Sequence, residues 1–156
     1  MEMVCKTLVA FASKGGATKE ESEIIADVLK EKYKFTVDLV NLKKNSPNLE
    51  EYDNIVIGGG VRNGKVYDEA LKFLKQDFGD REIAFFVCSG DAGDPNKYEE
   101  ACTKYITDVL ANYPNVKTVA TEAFGGRMKM LWKTVFDNFN PAKIRAWAEK
   151  LGSKLT

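Results

Sequence analysis

The sequence predicts an α/β fold, a three-layer sandwich with a five-stranded parallel sheet in the order 2-1-3-4-5 and helices on both faces. Short continuous apolar runs alternate with stretches of helical periodicity along the whole chain, the pattern of parallel strands joined by helices. Right-handed crossovers then leave few topologies. Glycine also gathers on the loops that follow the predicted strands and is scarce on the loops that precede them, which marks one edge of the sheet.

Val4–Ala12 reads as a buried strand, and Lys19–Lys34 as an amphipathic helix with Ile24, Ile25, Val28 and Leu29 on its apolar face. Phe35–Val40 alternates as an edge strand does, and Asn45–Asn48 with Pro47 marks a loop before a short helical turn near Leu49–Tyr52. Asn54–Gly60 is the third strand, Tyr67–Phe78 a helix, and Ile83–Ser89 a fourth, buried strand. Asp94 as a cap and Pro95 at the first helical position open a helix over Asn96–Tyr113. Val116–Phe124 is the fifth strand and Pro141–Leu151 a terminal helix. The segment Met128–Phe139 reads as one more amphipathic helix for most of its apolar residues, with Met128, Met130 and Trp132 left for a lid, a partner surface or a hydrophobic substrate site. With no repeat, linker or low-complexity stretch, residues 1–156 are expected to form one domain.

Composition removes several function classes. Lys+Arg and Asp+Glu both number 23, so no basic excess favours nucleic acid and no acidity steers basic partners. The apolar runs are strand length and the N-terminus lacks a signal-peptide pattern, so a cytoplasmic protein without a membrane span is expected. Cys5, Cys88 and Cys102 include no Cys-x-x-Cys pair and are expected to behave as small buried hydrophobes. There is no histidine, which removes Ser-His-Asp and Cys-His catalysis, His-ligated zinc and a proximal-His haem. Chemistry, if present, would come from a bound cofactor, with no catalytic residue of the chain's own.

The first predicted strand runs into Ser13-Lys14-Gly15-Gly16-Ala17-Thr18. The opening N–H groups of the helix that follows have no intrahelical partner and sit at the positive end of its dipole, so this loop can cradle an anion. It can equally be a tight connection with Thr18 as a cap. Neither the P-loop spacing nor the Gly-x-Gly-x-x-Gly fingerprint is present. The third strand runs into Gly58-Gly59-Gly60-Val61-Arg62-Asn63-Gly64-Lys65, the fourth into Ser89-Gly90-Asp91-Ala92-Gly93-Asp94, and the fifth into Phe124-Gly125-Gly126-Arg127. Several glycine-rich loops on one edge favour a bound ligand over ordinary turn chemistry. A phospho-receiver would need carboxylates where Phe11-Ala12-Ser13 and Ile57-Gly58-Gly59 stand, so that reading fails and no metal site is expected there.

On these residues the chain resembles the flavodoxin family over nearly its whole length. Ser13, Gly16 and Thr18 match the family's phosphate loop, while Gly15 replaces a usual hydroxyl and shifts the expected grip toward backbone N–H groups and Lys14. Ile57-Gly58-x-x-Val61-Arg62-x-Gly64, with the later Arg127, Trp132 and Phe136, is similar to the branch containing flavodoxin-type protoporphyrinogen oxidases.

The resemblance implies FMN, with its phosphate on Ser13, Lys14, Gly15, Gly16, Ala17 and Thr18. Its ring would lie between Gly59, Gly60, Val61, Arg62, Asn63 and Gly64 on one side and Ser89, Gly90, Asp91, Ala92 and Gly93 on the other. Gly59 or Gly60 would carry the peptide that flips toward the reduced flavin N5 in this family. Arg62 would either favour the reduced ring or pair with a surface carboxylate. No aromatic lies within Ser89–Asp94, which leaves Tyr67, Tyr98, Phe124 and Trp132 as ring-stacking candidates.

The implied function is an electron carrier between redox partner proteins, as a monomer or weak homodimer. The alternatives are an FMN-dependent oxidoreductase of the protoporphyrinogen or quinone type, and a flavin-free interaction module on the same fold.

Overall fold

The computed structural model describes residues 6–13, 16–130 and 133–155. Five parallel strands form its centre: β1 (Lys6–Ala12), β2 (Thr36–Asn41), β3 (Asn54–Arg62), β5 (Glu82–Cys88) and β6 (Thr118–Phe124), ordered β2-β1-β3-β5-β6. This is the predicted 2-1-3-4-5 order; the numbering shifts because a short strand, β4 (Lys65–Val66), folds back antiparallel on β3. The central strands β1, β3 and β5 are buried on both faces, which explains their unbroken apolar runs, while β2 and β6 at the edges are only partly buried over most of their length.

Helix α1 (Ala17–Tyr33) and the terminal helix α5 (Pro141–Gly152) cover one face, where Val9, Val56, Phe86, Phe124 and Trp147 meet Ile25, Leu29 and Ile144. Asn140 caps α5 by accepting the Lys143 N–H at 3.1 Å, with Pro141 opening the helix. The opposite face packs Leu8, Ile55, Ile57 and Phe85 under α2 (Asp68–Phe73) and a third helical stretch. That stretch is broken into α3 (Tyr98–Cys102), a π-helical turn over Thr103–Thr107, and α4 (Asp108–Leu110).

Three elements differ from the sequence expectation. The helix expected over Tyr67–Phe78 is short: the Gln76 side chain donates to the Phe73 carbonyl and the Gly79 N–H donates to Asp77, so local turns replace its last part. Asp94 does not open a helix at Asn96; its carboxylate accepts the Asn96 N–H at 2.9 Å in a turn of its own, and α3 begins at Tyr98.

The largest correction concerns Met128–Phe139, which is a β-hairpin rather than an amphipathic helix. Strand β7 (Arg127–Met130) pairs antiparallel with β8 (Lys133–Asp137). The β-branched Thr134 and Val135 suit a strand, and Val135 stands exposed as the solvent side of a two-stranded ribbon. Of the residues proposed there as exposed, Trp132 and the side chains of Met128 and Met130 lie outside the described residues.

Candidate functional site

All four glycine loops end on one edge of the sheet, but their glycines do different things. Gly16 precedes α1 in a left-handed conformation (φ +92°), and among the described residues no side chain caps the helix and an added Cβ would meet nothing within 4 Å. The first intrahelical bond, from the Glu20 N–H to the Gly16 carbonyl, is 3.0 Å. By helix geometry the N–H groups of Ala17, Thr18 and Lys19 lie ahead of it and have no intrahelical partner. Ser13 stands half-buried at the end of β1 beside this opening, while Lys14 and Gly15 lie outside the described residues.

Thr18 is buried (2 %), with its hydroxyl against the Cys88 thiol and 3.0 Å from where a Cβ at residue 60 would stand. The first loop and the end of β3 thus touch at the point where the sheet order reverses, the crevice in which doubly wound sheets bind ligands.

Gly58, Gly59 and Gly60 are strand residues, not loop residues, paired with Phe86, Val87 and Cys88 of β5. The strand runs on because Arg62-Asn63-Gly64-Lys65 is a two-residue hairpin. Asn63 and Gly64 both adopt positive φ (53° and 73°), the turn that Asn-Gly favours. Gly59 makes room for Val66, whose Cγ1 would be 2.8 Å from an added Cβ. The Gly60 carbonyl accepts the Tyr67 N–H at 3.1 Å, and Gly59 and Gly60 both pair with β5, so their peptides are engaged in the sheet. Val61 is half-buried against Val66, and Arg62 is exposed on the hairpin.

The loop after β5 folds as a tight turn. The Ser89 hydroxyl accepts the Asp91 N–H at 3.2 Å, and Asp91, Ala92 and Gly93 form one turn of 3-10 helix, with Ala92 buried. Here the glycines are filled by the hairpin β7–β8. A Cβ at Gly90 would lie 2.7 Å from the Phe136 ring, and one at Gly93 would overlap the Asn138 side chain. Asn138 ties the loops together: its amide donates to the Gly90 carbonyl at 2.8 Å, and its side-chain oxygen accepts the Gly126 N–H at 2.9 Å.

Of the ring-stacking candidates, Phe124 is excluded, being 1 % exposed and packed against Phe86 and Trp147. Tyr98 is also committed, because its hydroxyl donates to Glu122 and the Lys143 ammonium sits 4.2 Å from its ring. Tyr67 remains at the crevice, its ring packed behind Gly60.

Three further residues at this edge carried no expected role in the site. Arg127 donates to Glu20 at 2.8 Å, lies 3.6 Å from Asp137 and stacks on Phe139 at 4.3 Å. Its bond to Glu20 raises its pKa above the usual guanidinium value, so a fixed positive charge stands beside the first turn of α1. Glu21 and Cys88 are buried just below. Burial pushes the Glu21 carboxyl well above the ordinary carboxylate range, and burial also pushes the Cys88 thiol up. The signal for Glu21 was present in the sequence, since Glu21, Ile25 and Leu29 recur every fourth residue on the inward stripe of α1.

Of two surface clefts, one of about 400 Å³ lies between the Ser46–Pro47 loop and α2. The other, about 350 Å³, lies between Gly93, Gly125 and Asn138. Neither is lined by Gly16 or the first turn of α1. Among the described residues there is no cluster of His, Cys, Asp or Glu that could hold a metal, and no helix is long and apolar enough to cross a membrane.

A doubly wound parallel sheet with uncapped helix donors at its switch point defines a protein that can take an anionic ligand, such as a phosphate ester, at the carboxyl ends of its strands. The model of the flavodoxin domain family matches residues 8–150, and the chain belongs to that family. Protoporphyrinogen IX dehydrogenase [quinone] of Escherichia coli K12 is 29% identical over 111 residues, which cover 69% of this chain and 61% of that protein. The chain thus spans about three fifths of the curated relatives it matches. Oxidised flavodoxin 2 of Bacillus cereus superposes with a TM-score of 0.66 at 20% identity, covering 97% of this chain and all (100%) of that one. A flavodoxin of Fusobacterium nucleatum bound to flavin mononucleotide superposes at 0.60 with 14% identity, covering 97% and 99% of the two chains. These likenesses carry the fold.

Proposed function

We propose that this chain binds FMN at the carboxyl edge of β1, β3 and β5 and carries electrons between redox proteins. One observation carries the reading: Gly16 leads into α1 with a positive φ, and among the described residues no side chain caps the helix and nothing lies within 4 Å of a Cβ added there. The N–H groups of Ala17, Thr18 and Lys19 would hold the phosphate, with the Ser13 hydroxyl and the undescribed Lys14 and Gly15 beside them. Arg127, anchored by Glu20 and Asp137, supplies positive charge at the rim. FMN, when bound, would supply the electron chemistry.

On the ring side, the Asn63–Gly64 turn and the Ser89–Gly93 loop would form the two walls. Asn63 and Gly64 can exchange backbone orientation at small cost, since their peptide lies at the tip of a hairpin and outside the parallel sheet. The loop opposite is held rigid from behind by Phe136 and Asn138. With 23 basic and 23 acidic residues, a partner would be selected by shape and apolar contact more than by charge. We place the protein in the cytoplasm, as a monomer or weak homodimer.

A second reading rests on the sequence likeness to the protoporphyrinogen IX dehydrogenase: an FMN-dependent oxidoreductase that takes electrons from a small molecule. Reconstitution separates the cases. The purified chain mixed with FMN is expected to retain one flavin after gel filtration; a chain that stays colourless at saturating FMN overturns both flavin readings and leaves an interaction module. Steady oxidation of protoporphyrinogen or a quinol by the holoprotein alone would replace the carrier reading with the enzyme.

A further inference from the structure

Glu21 is fully buried (0 %) in the inward stripe of α1, and among the described residues its carboxyl meets no N–H or O–H donor, only the weakly donating thiol of Cys88. Helical side chains lean toward the helix N-terminus, so its carboxyl lies under the turn that begins at Ala17, directly behind the donors at Gly16. The groups facing it come from three elements: Glu20 on α1, the Cys88 thiol at the end of β5, and Arg127 on β7. Arg127 does not neutralise it, because that guanidinium is turned toward Glu20 at 2.8 Å and Asp137 at 3.6 Å. Cys88 is itself wedged between the Thr18 hydroxyl and Gly126, where an added Cβ would stand 2.8 Å from its sulfur. No water-filled space is needed to explain the site; the carboxyl is simply enclosed.

We propose that Glu21 is a proton site coupled to the anion cradle, so that the chain takes up a proton as it takes up the phosphate of its ligand. The proposal rests on the phosphate reading of Gly16 given above. An enclosed carboxylate with only a thiol beside it is costly, so burial holds the Glu21 proton well above the ordinary carboxylate range. A dianion at the first turn of α1 would lie about one helical pitch, ~5.4 Å, from the negative charge that Glu21 would bear if ionised. Two like charges at that spacing across a buried turn oppose each other, so the filled cradle holds the proton more tightly than the empty one. Linkage makes the effect reciprocal: loss of the proton weakens the anion.

The test is calorimetric titration of the full-length protein with FMN above about pH 8, where a phosphate monoester, with a second pKa of about 6, is already dianionic and contributes no proton change. Running it in two buffers of different ionisation enthalpy counts the protons. The expected result is uptake approaching one proton per FMN, with the apparent Kd rising by as much as tenfold per pH unit over the window in which only the empty protein has lost its proton. Glu21→Gln is expected to bind with a flat pH dependence and no uptake, and Cys88→Ala to keep the uptake, which separates the carboxyl from the thiol. The wild-type proton count needs no variant, so a poorly folded Glu21→Gln would not remove the test. FMN binding without proton uptake overturns this inference alone, as does uptake that survives in Glu21→Gln or vanishes in Cys88→Ala. No FMN binding at any pH overturns the phosphate reading and the inference together.

Discussion

Among the described residues an added Cβ at Gly16 would meet no atom within 4 Å, whereas one at Gly125 would run into the backbone of Asn138 and lie 2.9 Å from the Gly93 Cα. Both glycines stand on the same edge of the sheet, and both sit in loops that look alike in sequence. One leaves a space open and the other gives a space away. At Gly16 the backbone turns by positive φ and exposes helix donors; at Gly90, Gly93 and Gly125 the missing side chains admit Phe136 and Asn138 of the hairpin. Loop glycine therefore marks close approach, and only the structure tells whether a ligand or the protein itself makes the approach.

The comparison can be broken by adding methyl groups on each side of it. Gly125→Ala is expected to have the largest effect on stability, a loss of about 3 kcal/mol in urea denaturation, because backbone atoms cannot move aside for the new Cβ. Asn138→Ala should follow at about 2 kcal/mol, since it strands the Gly126 N–H and the Gly90 carbonyl. If either variant unfolds at the wild-type urea midpoint, the hairpin does not hold these loops. Gly16→Ala is expected to cost least, about 1 kcal/mol, the strain of a left-handed φ with no clash.

Much of the fold was legible before the structure. The apolar runs of β1, β3 and β5 are long and β-branched, and a strand buried on both faces has no alternative period to hide in. Met128–Phe139 was misread because its apolar residues satisfy helical spacing as readily as strand alternation. Asn138, which decides the packing, makes its contacts across 12 and 48 residues. In contrast, the Asn63–Gly64 hairpin carried a plain local signal that lay hidden inside a glycine-rich string. The turn from β1 into α1 at Ser13 and Gly16–Thr18 was legible, because a strand turning into a helix exposes donors whatever surrounds it. The tier behind it was not. Glu21 and Cys88 gain meaning only when β5 and α1 are brought together, and Arg127 only when β7 turns it toward Glu20.

The most direct test of the central claim, that Gly16 opens the ligand site while Gly125 closes a packing gap, is a fluorescence-quench titration of FMN into the wild type and the Gly16→Ala chain at neutral pH. One flavin bound per wild-type chain, with affinity about tenfold weaker in Gly16→Ala from about 1.4 kcal/mol of lost phosphate contact, is the predicted result. Equal affinity in the two chains would contradict it and move the phosphate away from α1.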